Sequence, residues 1–364
     1  MKTRRRTVIV VLGAILLVGV IAGLLLRKRE RSYQVTFLPS PCRGRVIPHA
    51  INDRGQIAGI AKETRGPYKP FLWPPDTGTG EAVALQAQRT AGHLHVNDVG
   101  QIAGTLVDPN GNKCALLWDS DGTEVPLGTL GGQASCATAI NRQGQIVGWS
   151  ETSDGSRHAF VWDAAGGMQD LGTLGGRQSR ACSINDSGQV TGYTQMGDTQ
   201  WRAVLWDPNG GISNLGYGSS DPLAMCLINN NGLIVGDFSS IPGKRYISTW
   251  QREAGIRPLR PIVNEFVLVC SVNDANECLL RVFRPGYSVF GHRFGRGSCS
   301  HLWSPGKGFR LIRPCFGKKG TASFVAHDMD NRGRLVGSLE METAVQSMRW
   351  GVLLEPIPKR QRKQ

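Results

Sequence analysis

TAINRQGQIVGWS (residues 138–150) and SINDSGQVTGY (183–193) are two copies of one pattern, and reading outward from them decides the fold. Further copies are AINDRGQIAGI (50–60), VNDVGQIAGT (96–105), INNNGLIVGD (228–237), SVNDANECLL (271–280) and MDNRGRLVGS (329–338). The leading Asn falls at 52, 97, 141, 185, 229 and 273, and Asp330 takes its place in the last copy. A tryptophan follows each copy, at 73, 118, 162, 206, 250, 303 and 350, with spacings of 45, 44, 44, 44, 53 and 47. Seven in-phase copies mark a repeat architecture, in which each unit buries its apolar face against its neighbours.

Each unit reads as four short strands. The first ends in Ile-Asn or Val-Asn. The N-D-x-G that follows makes a tight hairpin, in which Asn caps the turn and Gly takes the positive φ. Q-I-V-G is the second strand, HAFVWD (158–163) or RAVLWD (202–207) the third, and MQDLGTLGG (168–176) the fourth. Four strands in about 44 residues leave no room for a helix and fit a propeller blade. The predicted fold class is therefore all-β, a seven-bladed β-propeller preceded by one transmembrane helix. Tyr33–Leu38 resembles a fourth strand without its first three, and is expected to complete the last blade and close the ring, which removes sheet edges. An open β-solenoid is the structural alternative.

DLGTLGG, A-x-x-IN-x-x-GQ-x-x-G and the triplet His158-Ala159-Phe160 resemble the HAF repeat family of bacterial, mostly surface-associated proteins. The resemblance covers residues 33–356 and fades in the sixth copy, where Asn273-Asp274-Ala275-Asn276 replaces N-D-x-G. It implies an extracellular location and a propeller-like fold, and brings no catalytic residues.

The formal charge of +14 suggests nucleic acid until it is divided. Residues 1–31 carry +7 and the tail 359–364 carries +4, leaving +3 on residues 32–358. The body is thus near neutral, and nucleic acid is not an expected partner. Val8–Leu26 is an uncharged run of nineteen residues, close to the roughly 30 Å of a bilayer core at about 1.5 Å per residue. Arg27-Lys28-Arg29 follows where a cleaved signal peptide, the alternative, would place small residues. The expected division is a basic amino terminus with its anchor (1–31), the propeller (32–358) and a disordered basic tail (359–364). The body is expected on the extracytoplasmic side.

Residues 279–326 hold nine Lys/Arg and no Asp or Glu, interleaved with Phe and Tyr. Arg281, Arg284, Arg293, Arg296, Lys307, Arg310 and Arg313 are the candidate ligand-binding residues, suited to an anionic glycan, a lipid headgroup or an acidic protein partner. Three residues before the repeat Asn stand His49, Leu94, Thr138, Cys182, Cys226, Cys270 and His327. His49, Cys182, Cys226, Cys270 and His327 are metal-ligand types at one level of a ring. The bland reading is ordinary packing, with Cys as a small hydrophobe, and no cofactor is expected. His93 and His95 share a strand face, as a metal or substrate pair or as half-buried polar residues. Nine cysteines without C-x-x-C argue for free thiols, although Cys278–Cys299 or Cys42–Cys315 could pair in an oxidising compartment.

No G-x-S-x-G, H-E-x-x-H, P-loop or dinucleotide fingerprint is present, so a non-enzyme is expected. The functional expectation is a membrane-anchored, non-catalytic binding or scaffold module. The alternatives are an extracellular propeller hydrolase or lyase, which needs carboxylates converging at one mouth of the channel, and a cytoplasmic-facing assembly scaffold.

Overall fold

The computed structural model describes residues 33–38, 45–62, 68–75, 83–85, 92–107, 110–197, 200–219, 224–242, 246–261, 266–289, 292–312, 322–342 and 347–356. Among these, no helix is long and apolar enough to cross a membrane; the apolar run 8–26 and the tail 359–364 lie outside them. Contacts group residues 35–354 as one compact body, which is described here. Of the second unit, 1–34 with 355–364, only Tyr33, Gln34, Glu355 and Pro356 are described, as ends of strands.

The described residues form 28 strands, in five four-stranded sheets and one eight-stranded sheet. Repeat 3 is typical: Gly131–Ile140, Ile146–Thr152, Arg157–Asp163 and Gly167–Gly172 pair in order, all antiparallel. The sheets of repeats 4 and 5 merge where Tyr217 pairs with Ser239 and Gly218 with Phe238. Tyr33–Phe37 joins Ser347–Pro356 in the sheet of repeat 7, so a strand from the start of the body completes the last sheet.

The core lies between sheets rather than within one. Alternating strand residues face opposite neighbours. Thus Ile146, Phe160 and Trp162 pack against Ala103, Leu117 and Leu127 of repeat 2. Their sequence neighbours Val147 and Ala159 pack against Ile184, Val190 and Trp206 of repeat 4. The seam between repeats 7 and 1 is filled in the same way, by Val336, Leu353 and Leu38 against Val46, Ile57, Phe71 and Trp73.

Two glycines per unit have separate reasons. The turn glycine adopts positive φ, for example 80° at Gly144 and 76° at Gly188, and in repeat 6 Asn276 takes φ 58° in its place. The glycine of the second strand sits where the first strand bulges toward it. A Cβ on Gly148 would lie 1.9 Å from Cys136 O, and one on Gly192 2.1 Å from Arg180 O. The bulged residues are those three before the repeat Asn, for example Thr138 between Ala137 and Ala139 and Cys182 between Ala181 and Ser183.

Repeat 6 departs from the pattern. Its second and third strands, Cys278–Val289 and His292–Ser304, have 12 and 13 residues against 7 and 7 in repeat 3. Beyond Phe283, which pairs with Phe266 at the start of the first strand, the two continue as a hairpin with Val289 opposite His292. About six residues a side extend some 20 Å at roughly 3.3 Å each, at the end of the sheet away from the Asn273 turn.

Candidate functional site

The basic run of repeat 6 does not form one surface. Arg284, Arg293 and Arg296 lie on the long hairpin, with Ser288 opposite Arg293. Lys307 is in the turn at the opposite end of the sheet, and Arg313 lies outside the described residues. Arg310 approaches Glu277 at 3.7 Å and donates to Ser304 Oγ at 3.0 Å. Arg281 points to repeat 7, donating to Ala326 O at 2.7 Å. These last two arginines therefore hold the fold together as well as carrying charge.

His49, Cys182, Cys270 and His327 are bulge residues, whereas Cys226 pairs directly with Gly236, and this level of the strand can join adjacent repeats. His49 Nδ1 accepts Leu94 N–H at 3.1 Å, and Thr138 Oγ1 donates to Ala181 O at 3.0 Å. Burial pushes the Cys182, Cys226 and Cys270 thiols up, farthest for Cys226. Among the described residues no three His, Cys, Asp or Glu stand together as a metal site. Cys278 and Cys299 are thiols rather than a disulfide: Cys278 pairs with Trp303 and Cys299 with Val282, which separates them along the sheet. Cys42 and Cys315 lie outside the described residues. His93 stacks on His49 with ring centroids 4.6 Å apart. Burial holds His49 well below the usual imidazole range and His95 at about 3, so both are neutral at physiological pH, whereas His93 is exposed.

The residues that converge are the turn asparagines. Asn52 Oδ1 caps its own turn by accepting Gln56 N–H (2.9 Å), while its Nδ2 donates to Gln56 Oε1 (2.8 Å) and to Asn97 O of the next repeat (2.7 Å). The same reach runs from Asn97 to Asn141 O (3.0 Å), Asn141 to Asn185 O (3.1 Å), Asn185 to Asn229 O (3.2 Å) and Asn229 to Asn273 O (2.9 Å). In repeat 7, Asp330 has no such donor. Arg334, where most other copies carry Gln, pairs with Asp330 and donates to Asn52 O (3.4 Å) and Asp53 O (3.1 Å).

The next residue adds a second circle. The backbone N–H groups of Asp53, Arg142, Asp186, Asn230, Asp274 and Asn331 donate to Oδ1 of Asp98, Asp186, Asn230, Asp274, Asn331 and Asp53, at 2.6–2.9 Å. Only the step from Asp98 to Arg142 is missing, because a guanidinium cannot accept. Asn230 and Asn331 Nδ2 also donate to flanking carboxylates at 2.8–3.2 Å, which engages both oxygens of Asp53, Asp186 and Asp274. The circle surrounds a polar depression of about 200 Å³, lined from all seven repeats. Beside it, burial pushes Asp330 up despite Arg334. Burial also raises Asp328, whose Oδ2 accepts Ile51 N–H at 3.0 Å across the closing seam, to about 6.

Turn capping explains the Oδ1 of these residues but not the Nδ2. The signal for the cross-repeat bond was there: six of seven copies have Asn, and Asp would cap the turn equally well while lacking an N–H to send onward.

No protein-family model matches the chain, and no curated protein matches it. Among solved structures it is similar to the β-propeller domain of the Trilobed protease from Pyrococcus furiosus (10% identity over 84% of this chain and 95% of that one, TM-score 0.56). It is also similar to the acylaminoacyl peptidase of Pyrococcus horikoshii (11% identity, 85% and 53%, TM-score 0.52) and to a puromycin hydrolase (13%, 83% and 51%, TM-score 0.54). The chain spans about half the length of these last two. At such identities the likeness establishes the fold alone, and that fold is a β-propeller.

Proposed function

We propose that this protein is a membrane-anchored, non-catalytic binding or scaffold module of HAF-repeat type. Its seven-bladed propeller is held on the extracytoplasmic side by the apolar run 8–26. The observation that carries the reading is the long hairpin of repeat 6. It is the largest departure from the repeat, and it bears Arg284, Arg293 and Arg296 with no carboxylate between residues 279 and 312. Such a projection suits an anionic partner.

The test uses the full chain in lipid nanodiscs and heparin fragments as the polyanion. With Arg284→Glu, Arg293→Glu and Arg296→Glu combined, binding weakens about 100-fold, at roughly 1 kcal/mol per lost cation. The melting temperature stays unchanged. Equal binding by the variant overturns the reading. Protease removal of a carboxy-terminal tag from intact cells is expected; protection until permeabilisation would overturn the exterior location.

A hydrolase or lyase is the second reading, because carboxylates do converge at one mouth of the ring. The engagement of both oxygens of Asp53, Asp186 and Asp274 in fixed hydrogen bonds weighs against acid–base work there. Polysaccharide cleavage that is abolished by Asp98→Asn would reverse that judgement.

A further inference from the structure

At the turn end of each seam, the residue four after the repeat Asn faces the turn glycine of the next repeat. The contact is close at three seams. A Cβ on Gly55 would meet Arg334 at 2.5 Å, one on Gly144 would meet Gln101 at 2.9 Å, and one on Gly100 would meet Gln56 at 3.3 Å. Between repeats 5 and 6 the Asn276 side chain fills the place, accepting from Asn229 Nδ2 at 2.7 Å. Two neighbouring seams are looser. Pro208 and Gln145 come no nearer than 3.5 and 3.6 Å to the Cβ position of Gly188, and nothing lies within 4 Å of that of Gly232. Clefts of about 560 Å³ and 450 Å³ occupy these two seams. Both volumes fall within the usual range of small-molecule sites.

The larger cleft, between repeats 3 and 4, has a distinctive chemistry. Val161, Leu171 and Ile212 give it an apolar wall, and Gln169, Asp170 and Asp207 give it a polar rim. No Lys or Arg lines it. Trp206, 4% exposed, also lines it, and its Nε1 makes no hydrogen bond among the described residues. The equivalent Trp118 Nε1 donates to Glu124 at 3.0 Å.

We propose that the cleft between repeats 3 and 4 is a binding site for a neutral saccharide ring. Hydroxyls would donate to the Asp170 and Asp207 carboxylates and exchange hydrogen bonds with Gln169. The C–H face of the sugar would lie on Leu171 and Ile212, above the Trp206 ring. An acidic or phosphorylated ligand is disfavoured by the four lining carboxylates, Asp163, Asp170, Asp186 and Asp207, of which, among the described residues, only Asp207 is paired with an arginine, Arg252. A polycation would use the rim but leave the apolar wall unmatched. Asp170 is also held by His158 Nδ1 at 2.7 Å, and Asp207 by Gln189 and by Arg252 at 3.1 Å, which fixes the rim before a ligand arrives. This site is independent of the repeat 6 hairpin and stands or falls separately from it.

The experiment titrates the full chain, labelled with ¹⁵N-tryptophan, with methyl glycosides of glucose, galactose, mannose, fucose and N-acetylglucosamine, and with spermine as the cationic comparator. At least one glycoside should bind with Kd about 1 mM, the scale for a dozen heavy atoms at roughly −0.3 kcal/mol each. It should shift one indole N–H resonance, the one that Trp206→Phe deletes. Gln169→Ala with Asp170→Ala, two exposed side chains, should weaken binding about tenfold or more without changing the melting temperature. Silence from all five glycosides overturns the proposal, as does binding that survives the double variant. A response to spermine alone would make the cleft a cation site instead.

Discussion

Repeats 1–4 and repeat 7 make the same turn with different chemistry. In the first four, a neutral Asn–Gln pair caps the turn and Asn reaches the next repeat. In the last, Asp330 takes the cap and Arg334 makes the reach, so the donor has moved four residues along the chain. The joint between the two ends of the body is thus a buried ion pair where the five joints from repeat 1 to repeat 6 are amides; at the joint of repeats 6 and 7, Asn273 Nδ2 meets Met329 Sδ at 3.8 Å. Its geometry is equivalent, but its dependence on each partner is not. Removing one side of a buried pair strands a charge, whereas removing an amide leaves only unmade hydrogen bonds.

The sharpest way to break this comparison is Arg334→Ala. Asp330 is 3% exposed. Stranding its carboxylate should cost about 3–5 kcal/mol, read as a lower urea midpoint. Asp330→Asn with Arg334→Gln, which installs the amide pair of the early repeats, should return stability to within about 1 kcal/mol of the parent. A double variant as unstable as the single one would show that the two chemistries are not interchangeable. Asn141→Ala, by contrast, loses one cap and one cross-repeat bond, about 2 kcal/mol in the same assay. Asn141→Asp keeps the cap and loses only the donor, about 1 kcal/mol. The remaining effect depends on pH. Asp328 has a folded pKa of about 6, raised by burial above its unfolded value of about 3.9. Its contribution is therefore fully present below about pH 4 and is lost as pH rises through 6. Asp328→Asn should be more stable than the parent at pH 8, with the two converging below about pH 4. A constant gap across that range would contradict the assignment.

Much of the fold was legible because the features that set it are local and repeated. The tryptophan phase marks the third strand, the Asn marks the first turn, and the short period leaves room only for strands. The HAF triplet itself now has a physical content. His158 holds Asp170 of the fourth strand, Ala159 is fully buried with its N–H on Ser179 Oγ at 2.8 Å, and Phe160 fills the seam to repeat 2. What the sequence hid is the relation between copies. The basic run looked continuous, yet strand alternation turns Arg281 into a seam, and the antiparallel hairpin sends Arg293 and Lys307 to opposite ends of a sheet. The Cys and His series looked like a ligand set, yet a bulge places most of those side chains beside the next repeat's backbone. The Gly188 seam is looser than the closed ones by only a few tenths of an ångström in the setting of a glutamine, which no residue identity announces, since Gln145 and Gln101 are the same amino acid.

The turn bonds from Asn52 to Asn273 form a graph with one edge type, closed through repeat 7 by a different one. Such a graph is indifferent to its own length: a unit inserted between repeats 3 and 4 would find every partner it needs. The tally of units must therefore be kept elsewhere, in the taper of side chains between sheets, from the glycine and alanine of the second strand to the tryptophan of the third. Gene duplication within this chain would be tolerated at the turns and refused, if at all, by the wedge.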